Sequence, residues 1–133
     1  MEERKYTLSK SERLCSKKLI ERLFAGGNKS FPVFPIRVVY MFLSPEESSA
    51  EVSILISVPK KRFKHADKRN LVKRQIREAY RCHKYVLLGA LHQHEIPHKM
   101  ALAFILSDNK VYSTGDVENR VKKLLYHIAE GIQ

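Results

Sequence analysis

Ten residues between Lys60 and Arg81 are basic: Lys60, Lys61, Arg62, Lys64, Lys68, Arg69, Lys73, Arg74, Arg77 and Arg81. Only Asp67 and Glu78 oppose them, so the segment carries a net +8 of the chain's formal +11. Cations this dense repel one another, and a polyanion relieves that repulsion. The chemistry on offer is recognition of phosphate oxygens, which Arg grips bidentately and Lys meets as a point charge. Asn70, set among the cations, adds a donor and an acceptor suited to a 2′-hydroxyl, a base edge or a metal-bound water. A charge run is most often a solvated helix face. Here the carboxylates such a face would carry at four-residue spacing are scarce, Glu78 being the one well placed, four residues from Arg74. A nucleic acid is the expected partner.

Positioning these groups requires a helix. From Ala66 to Arg81 there is no Gly or Pro, and Val72, Ile76, Ala79 and Tyr80 recur at helical spacing as one apolar stripe. Arg69, Asn70, Lys73, Arg74, Arg77 and Arg81 form a second stripe, roughly a third of a turn away. One side can dock on a core while the other faces phosphates. The pattern predicts that this helix continues past Tyr85 toward Leu88 and stops before Gly89. A His-rich loop is expected over 89–99.

The flanking elements are shorter. Residues 1–15 read as polar and irregular. Ser16 can cap a helix ending near Ala25, with Leu19, Ile20, Leu23 and Phe24 on one face and Gly26-Gly27 as the stop. Pro32 and Pro35 allow at most a short edge strand near Phe31–Phe34. Ile36–Leu43 and Glu51–Val58 read as strands separated by a turn over 44–49, and Met100–Ser107 as a buried strand. Ser113 or Thr114 caps a last helix whose inner face is Val117, Val121, Leu124, Leu125 and Ile128. The order predicts an α/β two-layer sandwich, with strand 51–58, helix 66–88 and strand 100–107 able to form a parallel βαβ unit. A right-handed crossover is the usual expectation for such a unit.

The 133 residues are expected to form a single domain, 1–133, large enough to fold without staples. A hydrophobic content of 44% is that of a folded chain, and no apolar run approaches the length of a membrane span. The N-terminus has no apolar signal core, and Cys15 and Cys82 show no framework spacing, so a cytoplasmic protein with reduced thiols is expected. Cys82, His83, His92, His94 and His98 lack a recognisable zinc spacing, and Pro97 argues against a helix carrying His94 and His98. No Gly-rich phosphate loop and no nucleophile–base pair stand out.

The basic helix resembles the protein component of bacterial ribonuclease P. The family signature, A-x-x-R-N-x-x-K-R-x-x-R-E-A-[FY]-R, stands here as Ala66, Arg69-Asn70, Lys73-Arg74 and Arg77-Glu78-Ala79-Tyr80-Arg81. Residues 8–27, with Arg13-Leu14 and the Leu23-Phe24…Gly27 close, resemble the family's N-terminal segment. MALAFIL followed by VENRVKKLL resembles its C-terminal part. Two positions depart from the pattern. Lys64-His65 stands where many members have Gly-Asn, and Ile20 stands where many have a Phe able to stack on a base.

The resemblance implies an α-β-β-β-α-β-α fold with a central, mostly antiparallel sheet, a long basic helix and a left-handed βαβ crossover. It implies an accessory subunit in the removal of 5′ leaders from precursor transfer RNA, with the catalytic centre on a large RNA subunit that holds Mg²⁺. Its partners would then be ribonuclease P RNA and the precursor leader, with no membrane and no obligate protein partner. By the same resemblance Arg69, Asn70, Lys73, Arg74 and Arg77 meet the RNA subunit, and Lys61, Arg62, Lys68 and Arg81 extend that RNA-binding set. The leader cleft would use Arg13, Ile20, Phe24 and Tyr40, the two rings as stacking platforms with Lys61 nearby. Strand alternation puts Arg37 on the face opposite Val38 and Tyr40. Two other readings are a basic structural RNA-binding protein of ribosomal type, without catalytic association, and a stand-alone metal-dependent nuclease. Charge fits the first as well as it fits a ribonuclease P subunit, and the Arg69–Arg81 signature discriminates. Against the nuclease, carboxylates able to hold two metals are scarce around the basic segment.

Overall fold

The computed structural model describes residues 7–93 and 98–132. The elements are α1 (Lys17–Phe24), β1 (Lys29–Val33), β2 (Ile36–Leu43), β3 (Val52–Ser57), α2 (Ala66–His83), α3 (Tyr85–His92), β4 (Lys99–Leu106) and α4 (Thr114–Ile132). The sheet order is β1-β2-β4-β3. The β1–β2 and β2–β4 pairings are antiparallel, and β3–β4 is parallel. The parallel pair needs a long crossover, which α2 and α3 supply, so the expected βαβ unit is present.

Alternation along the strands divides the core in two. Ile36, Val38 and Tyr40, Val52 and Ile54, and Met100, Leu102, Phe104 and Leu106 face a layer made of α2, α3 and α4. Met41, Leu43, Ala101 and Ala103 face the other way and meet Leu14, Leu19 and Leu23. The anticipated stripes are buried as read: Val72, Ile76, Ala79 and Tyr80 on α2, and Val117, Val121, Leu124, Leu125 and Ile128 on α4. Ser16 caps α1 by accepting from the Leu19 amide, and Ser113 caps α4 by accepting from the Asp116 amide. Gly26 and Gly27 take φ of +97° and +81°, the left-handed region that ends α1 and favours glycine.

Three expectations are corrected. The basic helix breaks at Lys84, and a separate helix then runs through Gly89 to His92, so the loop expected over 89–99 begins later; residues 94–97 lie outside the described residues. Lys84 stands four residues after Tyr80, on the buried stripe, and its ammonium donates to the Thr7 carbonyl at 2.5 Å and to Glu12 at 2.9 Å. That clamp also corrects the reading of the N-terminal segment as merely irregular. Residues 9–12 form a capped turn, the Leu14 amide donates to the Ile54 carbonyl at 2.7 Å, and Arg13 bridges Ile54 in parallel register. The segment thereby covers the outer edge of β3, which would otherwise present unpaired backbone groups. Finally, Glu78 pairs with Arg81 at 2.8 Å and not with Arg74.

Candidate nucleic-acid interface

The basic helix starts from a braced turn. Phe63 is buried and anchors the loop after β3. His65 occupies the N-cap position of α2 without a side-chain cap. Arg69 closes the turn, its Nη1 donating to the Phe63 carbonyl at 2.8 Å and the Lys64 carbonyl at 3.1 Å. Lys64-His65 therefore makes its turn with a guanidinium staple. Arg69 is half-buried and is partly structural, an aspect the charge pattern did not show.

Beyond the brace, Lys61, Lys68, Asn70 and Arg74 are exposed, and Arg62, Lys73, Arg77 and Arg81 are half-buried. Among the described residues Lys68, Lys73, Arg74 and Arg77 make no ion pair or hydrogen bond, whereas Arg81 is held by Glu78. The Arg81 hydrogen bond holds the Glu78 carboxyl below the usual carboxylate range. Arg62 leans toward the β4–α4 loop. Its charge helps lower Asp108, although the larger cause is the Tyr112 hydroxyl donating to that carboxylate at 2.5 Å. Gln75, buried on α2, donates to the Tyr112 carbonyl at 3.0 Å and ties the helix to the same loop. The cationic face is thus rigidly mounted and largely uncompensated.

The second group is only partly brought together. Helix α1 lies over one end of the sheet's second face, with Leu19 and Leu23 buried and Ile20 half-buried beside Val39 and Leu55. Phe24 is 46% exposed, so it is not a core residue, and Arg13 is also exposed. Tyr40 faces the other layer of the core. It is 7% exposed, belongs to the opposite core, and its hydroxyl lies 4.0 Å from a Cβ built on Gly131 of α4. Burial pushes its phenol above the ordinary value. Its ring packs mainly in that core, although Tyr40 also lines a hollow with Arg22, Ala25, Gly26 and Gly27 at the end of α1. The face beside α1 instead presents Val39 and, one pleat farther, the row Arg37, Ile105 and Ser57, which are register partners across β2, β4 and β3. The signal was available: alternation that places Arg37 opposite Tyr40 also places Tyr40 under α4.

The histidines considered for metal binding are otherwise engaged. His83 meets Glu118 and His92 meets Glu51, each at 2.7 Å, and His98 lies edge-on to Phe42. His94 lies outside the described residues. Among the described residues no three His, Cys, Asp or Glu side chains converge, and no helix is long and apolar enough to cross a membrane.

The arrangement defines a small α/β protein with a four-stranded sheet, one helical layer and an open second face bordered by α1. Residues 8–129 match the model of the Ribonuclease P family. The chain is 42% identical over 127 residues to the ribonuclease P protein component of Porphyromonas gingivalis, covering 96% of this chain and 90% of that protein. It is 33% identical over 108 residues to the corresponding component of Chlorobaculum tepidum, covering 78% and 70%. In fold it resembles the RNase P protein from Thermotoga maritima, with a TM-score of 0.66 at 20% identity over 87% of this chain and 96% of that one. The chain belongs to the ribonuclease P protein family.

Proposed function

We propose that this chain, folded as a single cytoplasmic domain, is the protein subunit of a ribonuclease P. It binds the catalytic RNA through α2 and the 5′ leader of precursor transfer RNA on the open sheet face. The observation that carries the reading is the face formed by Lys73, Arg74 and Arg77, three cations without a carboxylate partner among the described residues, beside Asn70, with Lys68 on the other flank of the helix. Such groups neutralise phosphates and release counterions, so binding weakens with salt. Lys61, Arg62 and the remaining donors of Arg69 extend the contact. Arg81, engaged with Glu78, contributes only if that pair opens.

The leader lies along Arg13, Ile20 and Phe24 and continues over Val39 and Arg37. Phe24 supplies the stacking ring, and the site needs no Tyr40. Catalysis belongs to the RNA subunit. A cationic helix does not suit a protein-held Mg²⁺ site; it suits neutralisation of the RNA phosphates around one, which lowers the Mg²⁺ needed to fold that RNA. The test is a titration of the protein against a bacterial ribonuclease P RNA over a range of salt. Saturable binding that Arg74→Ala weakens without loss of folding supports the reading. Binding insensitive to salt and to Arg74 overturns it.

A further inference from the structure

A second aromatic and cationic site lies where α4 meets the edge strand β1. Phe31 projects from β1 and His127 from α4, and their rings stack in parallel with centroids 3.4 Å apart and planes within 10°. Tyr126, the next residue on α4, is 48% exposed. These rings and Lys122 and Lys123 line a cavity of about 550 Å³. Both lysines are exposed, and among the described residues neither makes an ion pair or hydrogen bond. Glu130 is the single carboxylate on the lining. Tyr126 thus supplies an exposed aromatic face beside the Phe31–His127 stack, while two cations exceed one anion.

This is the composition of a single-strand nucleic-acid site. Successive bases stack on rings without sequence readout, and cations follow the backbone. A volume of this size falls within the range of small-ligand sites, roughly 300–1,000 Å³, and accepts a nucleotide. The location is also distinct. α2 docks on β3 and α4, whereas the seam uses the β1 side of α4. We infer that the α4–β1 seam binds single-stranded RNA, with a base stacked on Tyr126 and the adjoining phosphates neutralised by Lys122 and Lys123. The inference goes beyond the reading of α2 and the open sheet face. Its test uses neither a catalytic RNA nor a transfer RNA, so either idea can fail alone.

The experiment measures binding of the full chain to a short oligouridylate and to inorganic polyphosphate of equal phosphate count. It is done in the unaltered chain and in an Arg74→Glu, Phe24→Ala background that weakens both the basic helix and the open sheet face. Tyr126→Ala is expected to lower oligouridylate affinity about 5- to 100-fold in both backgrounds, the range of one lost stacking contact. It should leave polyphosphate affinity unchanged, and Tyr126→Phe should retain both. Lys122→Ala with Lys123→Ala should weaken both probes. An unchanged oligouridylate affinity in Tyr126→Ala overturns the inference, and so does an equal loss for both probes. If the chain self-associates and Tyr126→Ala abolishes that without affecting the oligonucleotide, the seam is an interface between copies and the inference falls.

Discussion

Glu12→Gln isolates the clamp that holds the N-terminal segment to the α2–α3 junction. The substitution keeps the shape of the side chain and removes its charge, leaving the Lys84 ammonium, in a residue only 4% exposed, with the Thr7 carbonyl and an uncharged amide. Removing one partner of a buried pair costs about 3–5 kcal/mol. The Glu12 side chain retains 18% exposure, so water replaces part of the lost interaction and about 2–4 kcal/mol is expected. For a chain of 133 residues the unfolding entropy is about 0.28 kcal/mol/K, so the melting temperature should fall by about 7–14 °C. Glu12→Gln combined with Lys84→Met removes both charges and should recover most of the loss. The assay is thermal and urea denaturation followed by circular dichroism. A single-variant loss below about 0.5 kcal/mol, or a double variant no better than the single one, would refute the placement of Lys84.

Arg74→Ala should leave the melting temperature nearly unchanged and weaken RNA-subunit binding by about 1–3 kcal/mol, whereas Ile76→Asp should unfold the protein; paired melts and titrations separate the two stripes. Phe24→Ala should weaken binding of precursor but not mature transfer RNA by about 1–3 kcal/mol in the assembled enzyme, with little loss of stability. Tyr40→Ala should instead cost several kcal/mol of stability, on the scale of a buried large-to-small change of about 3–5 kcal/mol, with no leader-specific effect in the same assays. Among the described residues the buried Tyr80 hydroxyl has no hydrogen-bond partner, so Tyr80→Phe should be neutral or stabilising by about 1–2 kcal/mol at neutral pH. Burial raises the Tyr80 phenol above its usual value. Below about pH 10 folded and unfolded chains both keep that proton, and above it only the unfolded chain loses it. Stability should then fall by about 1.4 kcal/mol per pH unit for this group, and the Phe variant should show a shallower alkaline decline.

Periodicity carried much of the architecture. The α2 and α4 stripes, the Ser16 cap and the Gly26-Gly27 stop are local signals, and each sits as its pattern required. Lys84 escaped because hydropathy excludes lysine from a core unless its partner is known, and Glu12 lies 72 residues away in sequence. Gly89 is a helix-stop signal in sequence, yet it lies inside α3, where packing against α4 outweighs a propensity cost near 1 kcal/mol. In the sequence Arg69 shows only its charge, because nothing in its spacing reveals the two carbonyls within its reach.

The cleft shows where residue type and residue placement part. Phe24 and Tyr40 are equally aromatic on the page. Position on a strand decides between them: Tyr40 shares parity with Val38 and goes under α4, while Arg37 and Val39 take the other face. Phe24 was ambiguous from sequence alone, because the face it shares with Leu23 is wide enough for one residue to be buried and the next to be open.

The central claim is that this chain assists a catalytic RNA and does no cleavage itself. The most direct measurement is cleavage of a precursor transfer RNA at low Mg²⁺ by the protein alone, by a bacterial ribonuclease P RNA alone, and by the two together. The account predicts no cleavage at the mature 5′ end by the protein, weak cleavage by the RNA and strong enhancement on mixing, reduced by Arg74→Ala. Site-specific cleavage by the pure protein, or no enhancement on mixing, would contradict it.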